Sequence, residues 1–138
     1  MRNVRLASLL LAFTAGTFAA TKPISWKPAR NAFLHVNDQP VKDWDAFEIE
    51  KKSDRYLLKL EERFLLLDTQ QKNVFELSEN TLQRQGSDLL WDPDTLPEKP
   101  IATSNWIVRD VGLALRIRFH LDQDGRDIDL QIPHKYSR

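Results

Sequence analysis

The residues best suited to chemistry in this 138-residue chain lie near its C-terminal end. His120 and Asp129 fall on two segments of alternating apolar and polar residues that flank Asp124 and Gly125. If Asp124-Gly125 is a two-residue turn, His120 lies directly opposite Asp129. A carboxylate bonded to one imidazole nitrogen fixes the tautomer and supports positive charge on the ring, as a general base requires. A hydrolase or isomerase that uses these two residues is therefore one hypothesis.

The same two residues are also typical of a cross-strand ion pair on an exposed sheet face. The pattern places no nucleophile beside His120, and Arg118 lies diagonal to Asp129. The remaining histidines, His35 and His134, do not have the spacing of metal ligands. We therefore predict no metal site and no cofactor, and we favour a protein that is not an enzyme.

Four aspartates around the same turn resemble a calcium-binding loop. An EF-hand loop needs glycine at its sixth position and a bidentate acid at its twelfth. Here Gly125 is the fourth residue counted from Asp122, and Leu130 and Gln131 follow where a helix would be needed. The pattern favours a solvated hairpin tip over a calcium site.

Trp106, Arg109 and Arg118 are the candidate binding residues. An aromatic side chain close to arginine is typical of the residues that dominate protein interfaces. A buried tryptophan and a local ion pair between Arg109 and Asp110 would explain the same stretch without any partner. We favour that structural interpretation for Trp106 and keep all three residues as candidates for recognition.

The elements that would position these residues form a β-hairpin. Leucine, isoleucine and phenylalanine alternate with polar residues on both sides of the turn, which is typical of strands with one buried face. With Asp124-Gly125 at the tip, Phe119 faces Leu130. Gly112 marks a bulge or bend before the long strand, and Pro133 ends the second one.

Alternation upstream predicts further strands. Phe47 and Ile49 face Leu60 and Leu58 if Ser53 and Asp54 form a turn, which puts all four on one side of the sheet. The other predicted features are a strand at 32–36, a hairpin that pairs Phe64 and Leu66 with Phe75 and Leu77, a single strand over 80–91 bent at Gly86, and a loop over 92–104.

A helix over residues 55–67 is the rival prediction for the leucine-rich middle of the chain. Leu57, Leu60, Phe64 and Leu67 fall at helical spacing, and leucine favours helices. Glu61 would then lie within the apolar face of the helix, whereas in strands it occupies an exposed turn. We therefore favour strands.

The predicted fold class is mainly β. We expect a single antiparallel β-sandwich or partly closed β-barrel of about seven to nine strands, because alternation with one polar face recurs along the chain. One domain would cover 32–138. Residues 20–31 would form an extended N-terminal arm, since Pro23 and Pro28 interrupt regular structure there.

The first 19 residues have the pattern of a cleaved export signal. Arg2 and Arg5 precede an uncharged stretch from Leu6 to Ala20, which is too short to span a membrane. Small residues before the cut place cleavage between Ala19 and Ala20. We therefore expect the chain to be exported, either to the periplasm or to the medium, with no membrane span in the mature part.

Composition limits the function classes further. The chain has 20 Asp and Glu and 20 Lys and Arg, so losing Arg2 and Arg5 leaves the mature part a net charge of −2. A nucleic-acid partner is not expected for a slightly acidic exported chain. The absence of cysteine excludes disulfides and thiol chemistry.

Three functions are left open by the sequence. The first is a non-catalytic module of the cell envelope or medium that binds another macromolecule. The second is a small β-barrel that binds an apolar ligand in an interior lined by its large side chains. The third is the hydrolase or isomerase that uses His120 and Asp129.

Overall fold

The computed structural model describes residues 23–49 and 54–134. The predicted signal segment, the cleavage position at Ala19 and Ala20, and the predicted turn residue Ser53 lie outside this part of the chain. Most of the described residues are in strands, which confirms the mainly β class. The strands are β1 (Ile24–Pro28), β2 (Phe33–Val36), β3 (Gln39–Pro40), β4 (Trp44–Ile49), β5 (Arg55–Leu60), β6 (Arg63–Asp68), β7 (Asn73–Leu77), β8 (Leu82–Gln85), β9 (Asp88–Trp91), β10 (Thr103–Asp110), β11 (Ala114–Leu121) and β12 (Arg126–Pro133).

The strands form two antiparallel sheets. A seven-stranded sheet has the order β7-β6-β5-β4-β1-β9-β8 and curves into a half-barrel, and a five-stranded sheet has the order β10-β11-β12-β2-β3. The predicted mainly β class thus takes the form of two antiparallel sheets, one of which is a half-barrel. Its twelve described strands exceed the predicted seven to nine, because several are only two to five residues long.

Two apolar cores stabilise this arrangement. The first lies between the sheets, where Leu58 and Leu65 of the half-barrel pack with Ile117 and Leu130 of the five-stranded sheet. The second lies on the opposite face of the half-barrel, around Trp26 and other large side chains. The middle strands of the half-barrel are therefore buried on both faces, which explains their nearly continuous runs of leucine.

The leucine-rich segment is a strand pair, as we predicted, and not a helix. β5 and β6 pair along their whole length, from Arg55 with Asp68 to Leu60 with Arg63. The turn between them contains Glu61, whose φ of 58° is left-handed and whose side chain is exposed. The predicted pairing of β6 with β7 is also confirmed, with Phe64 opposite Leu77 and Leu66 opposite Phe75.

The hairpin of β4 and β5 has a different register from the predicted one. Phe47 lies opposite Leu57, and not opposite Leu60. This shift of three positions turns Phe47 towards the half-barrel core, while Leu58 and Leu60 face the core between the sheets. Since both faces of these strands are buried, alternation could not select the register.

Two further predictions differ from the structure. The stretch expected to be an extended arm contains β1, which pairs with both β4 and β9 and buries Trp26 completely. The single strand expected over 80–91 is a hairpin of β8 and β9, because Gly86 adopts a left-handed φ of 66° and reverses the chain instead of bending it.

Arg63 connects the half-barrel to the tip of the hairpin formed by β11 and β12. Its guanidinium donates two hydrogen bonds to Glu76, at 2.9 and 3.0 Å, and another to the Asp124 carboxylate. These carboxylates raise the pKa of Arg63, which stays charged. The hairpin that carries the candidate residues is thus fixed at its tip.

Candidate functional site

The candidate functional site is the face of the five-stranded sheet that points away from the core between the sheets. We call it the outer face. Because cross-strand partners share a face, the register arranges its side chains in rows. The first row, at the apolar end, contains Val111, Ala114 and Pro133. The second row contains Arg109, Arg116, Gln131 and Phe33, and the third contains Ile107, Arg118, Asp129 and His35. The fourth row contains His120 and Asp127.

His120 does not lie opposite Asp129. The loop between β11 and β12 contains four residues, from Asp122 to Gly125, so His120 pairs with Asp127 and Asp129 pairs with Arg118. The His120 Nδ1 atom is 2.7 Å from the Asp127 carboxylate. A shift of two positions keeps the side chains of β11 and β12 on their predicted faces but separates the proposed catalytic partners.

Asp129 is instead the acceptor of an arginine fork. Arg116 donates from Nε at 3.0 Å and from Nη2 at 2.7 Å to the two carboxylate oxygens, while Arg118 Nε lies 3.8 Å away. The hydrogen bond and charge of Arg116 lower the pKa of Asp129 despite the opposing effect of burial. A carboxylate held in this way is ionised and positions Arg116, and it is poorly suited to accept a proton.

We expect Asp129→Asn to lower stability at neutral pH by roughly 1 kcal/mol, since the fork lies in a partly exposed position. Because the folded-state pKa lies below the ordinary value of 3.8, the ionised carboxylate stabilises the fold above that value. Its contribution disappears as the pH falls through the lower folded-state pKa. Urea midpoints measured between pH 7 and pH 2 should therefore fall less steeply for Asp129→Asn than for the parent chain.

The matched control is Asp127→Asn, which removes a carboxylate from the same strand and the same face. The Asp127 side chain is 66% exposed and contacts only His120 among the described ion pairs. We expect this variant to keep the acid dependence of the parent, since exposed pairs contribute little. Equal acid dependence in the parent and in Asp129→Asn would contradict the role of the fork.

Arg109 lies on the outer face without an ion-pair partner among the described residues. It lies directly opposite Arg116 across β10 and β11, and no carboxylate in residues 23–49 or 54–134 forms an ion pair with it. Like charges that face each other across a sheet are destabilising. Asp110, its neighbour in sequence, points to the other face and contacts His134 at 3.1 Å, so the predicted pair of Arg109 with Asp110 is not formed.

The apolar end of the face forms a shallow groove of about 350 Å³. Phe33 and Leu113, which are 62% and 83% exposed, lie on its walls beside Val111 and Pro133. The alternation of apolar residues along this segment begins at Leu113 and predicts that it faces the core, but Leu113 lies in the turn before β11, where Gly112 has a left-handed φ of 93°. Gly112 thus reverses the chain between β10 and β11 instead of only bending it.

Trp106 faces away from the other two candidate binding residues. A register shift between Ser104 and Ile107 turns it inward. There its ring stacks on Phe119 with centroids 4.6 Å apart, and its indole N–H donates to Thr103 at 2.9 Å. Arg109 and Arg118 lie on the outer face, whereas Trp106 lies on the opposite side of the same sheet.

Sequence reasoning did not select Arg116, Phe33 or Leu113 for this site. Arg116 lies on the polar face that the alternation predicts. Because it is two residues from Arg118, it shares a face with that candidate, and this spacing could have identified it. Phe33 and Leu113 had no such signal, because their apolar types favour the interior.

Among residues 23–49 and 54–134, no group of three His, Asp or Glu side chains is arranged to hold a metal ion. Within the same residues, no helix has the length and apolar character that crossing a membrane requires.

Comparison of the chain with protein-family models, curated proteins and solved structures finds no match in any of the three.

Proposed function

We propose that this chain is an exported, non-catalytic interaction module that binds an acidic protein segment on its outer face. The observation that carries the proposal is the position of Arg109 opposite Arg116. A carboxylate placed between or beside these two guanidinium groups would relieve their repulsion and accept charge-assisted hydrogen bonds. Arg118, one row away, adds a third positive charge to the same region.

Exposed apolar side chains complete this surface. Five large hydrophobic residues among those described are notably exposed, and four of them lie on the outer face or at its rim. They are Phe33, Ile107, Val111 and Leu113. Scattered apolar residues on a surface need no explanation, but a group beside a row of arginines is typical of an interaction site.

The charge distribution favours an acidic protein segment over a polyanion. Asp127 and Asp129 lie on the same face as the arginines, and Asp129 already neutralises part of the charge of Arg116 and Arg118. A nucleic acid would meet these carboxylates and would leave the apolar groove unused. A segment with one or two acids among apolar residues matches both halves of the face.

Export is supported by the basic and apolar pattern of residues 1–19. The destination we propose is the periplasm or the medium, where the partner would be another envelope or extracellular macromolecule. The mass of the mature chain tests this step, because cleavage after Ala19 would make Ala20 the first residue.

The other two functions have less support. The separation of His120 from Asp129, and the occupation of Asp129 by Arg116, weigh against the catalytic hypothesis. The large side chains that would line an apolar ligand site pack against one another in the two cores, where Leu58 and Trp26 are fully buried.

Photo-crosslinking in the producing cell tests the interaction. A photoreactive amino acid at Leu113, on the outer face, should give one discrete adduct, because a bound partner would cover this side chain. The adduct should be lost when Arg109→Glu and Arg118→Glu are combined, since both changes repel an acidic segment.

Leu96 provides the matched position, because it is also exposed but lies outside the outer face. The same photoreactive residue at Leu96 should give no adduct. No adduct at Leu113, or an adduct that persists after both charge reversals, would contradict the proposed function.

A further inference from the structure

The apolar groove borders the row of arginines on the outer face. Its lining combines residues of the first row with the far end of the second row, where Gln131 and Phe33 follow Arg116 across the sheet. The same border lies on β11, where Arg116 follows Ala114 by two residues, and Arg109 lies opposite Arg116. A single ligand can therefore contact a guanidinium group and the groove at the same time.

The spacing between these two rows matches that of an extended chain. Residues two apart on a strand share a face and lie about 7 Å apart, so this distance separates the first row from the second. An extended segment that runs along the strands has the same repeat, because its own residues i and i+2 also point to one side. Such a segment places one side chain beside the arginines and the next one of that side in the groove. It contacts the outer face through side chains and needs no backbone hydrogen bond with the sheet.

The walls of the groove favour an aromatic side chain. Phe33 and Leu113 are 62% and 83% exposed, so a bound ring would cover apolar surface that is open to water. An aromatic ring can also stack on Phe33. The amide oxygens of Asn31 and Gln131, which line the same groove, can accept a hydrogen bond from an indole N–H. Tryptophan would use both kinds of contact.

The arginine side of the border selects an acid. Arg109 and Arg116 face each other across β10 and β11, and Asp129 forms its hydrogen bonds with Arg116. A ligand carboxylate beside Arg109 would therefore meet positive charge that Asp129 neutralises only in part. A carboxylate two rows further along would approach Asp127, which is 66% exposed, and would be repelled. The favoured position for the acid is thus the second row, next to the groove.

We propose that the partner segment carries a tryptophan two positions from an acidic residue. The carboxylate lies beside Arg109 and Arg116, and the indole ring lies in the groove against Phe33 and Leu113. This inference rests on the proposed function and adds the motif that is recognised. The residue between the acid and the tryptophan points to solvent in an extended segment, so its type is not selected.

The probe is a synthetic peptide, acetyl-Ser-Trp-Thr-Glu-Thr-Trp-Ser-amide, titrated into the mature chain by calorimetry. Its order of side chains is the same in both directions, so one tryptophan reaches the groove whichever way the segment runs. We expect saturable binding with a Kd below about 1 mM.

The matched control is the isomer acetyl-Ser-Thr-Trp-Glu-Trp-Thr-Ser-amide, which has the same composition and charge. Its tryptophans are adjacent to the glutamate, so in an extended chain they point to the side opposite the carboxylate. The isomer should bind about tenfold more weakly or worse, because it cannot bury an indole in the groove while its acid contacts the arginines.

Two variants of the protein test the groove itself. Phe33→Ala should weaken binding of the first peptide about fivefold or more, because the indole loses an aromatic wall. Leu96→Ala also truncates an exposed apolar side chain, but one that lies outside the outer face. This variant should bind the first peptide within about twofold of the parent chain.

The outcomes separate the motif from the proposed function. Equal affinities of the two isomers, equal effects of Phe33→Ala and Leu96→Ala, or no saturable binding of the first peptide would overturn the motif. If the isomers bound equally and Arg109→Glu weakened both, the outer face would bind acidic segments without the tryptophan, and the proposed function would stand. The crosslinks at Leu113 test the proposed function independently of these peptides.

Discussion

Leu58→Ala is expected to lower the free energy of unfolding by about 2–5 kcal/mol. Leu58 is fully buried in the core between the sheets, where it packs with residues of both. Truncation removes its buried methyl groups and leaves a cavity that neighbouring side chains fill only in part. Since small domains are stable by only about 5–15 kcal/mol, this loss would show as a large fall in the urea midpoint.

Leu113→Ala is the matched control, because it makes the same chemical change at a side chain that is 83% exposed. We expect it to change stability by less than about 0.5 kcal/mol and to weaken partner binding. Together the two variants separate the role of leucine in the core from its role on the outer face. Similar stability losses in both would show that Leu113 is buried and that the groove is not open.

Trp26→Ala is expected to cost about 3–5 kcal/mol, measured by thermal or urea unfolding. Trp26 is fully buried and lies on β1, between β4 and β9, in the half-barrel core. Its indole N–H has no hydrogen-bond partner in the described chain, so the loss comes from packing. An extended arm outside the domain would lose almost nothing on this change.

Lys27→Ala tests whether the effect belongs to the buried face of β1. The Lys27 ammonium lies 2.9 Å from the Asp88 carboxylate and is 39% exposed. We expect a loss of at most about 1 kcal/mol, as for other exposed ion pairs. A stable Trp26→Ala variant would contradict the incorporation of β1 into the sheet.

The sequence pattern predicted the fold correctly where each strand has one buried face and one exposed face. In the hairpin of β11 and β12, alternation gave the correct face for Arg118 and Phe119, and the four-residue loop changed only their partners. A shift of two positions preserves faces, so the arginines were correctly placed on the outer side. The exact partners depend on the loop conformation, with its left-handed Gly125, which alternation does not specify.

The half-barrel was less predictable because its strands are buried on both sides. Phe47 and Leu58 belong to different cores, yet each looks like an ordinary core residue in sequence. For the same reason Trp26 could be assigned to an arm. Where both faces are apolar, neither the register nor the number of strands follows from the pattern.

The candidate site shows the same limit. Arg109 and Arg118 could be selected as charged residues on alternating segments. Their relation to Arg116 depends on the register, and the exposure of Leu113 depends on the turn at Gly112. Four strands, β10, β11, β12 and β2, and one turn thus create a surface that no local motif encodes.

The most direct test of the account is an NMR titration of the isotope-labelled mature chain with a short peptide that has an acidic residue between apolar ones, acetyl-Ser-Val-Thr-Glu-Thr-Val-Ser-amide. We expect saturable shifts in the backbone amides of β10 and in the side-chain Nε–H signals of Arg109 and Arg116, with the half-barrel core around Trp26 unchanged. Shifts confined to the half-barrel, or no saturable shift on the outer face, would contradict the claim that this face is the binding surface.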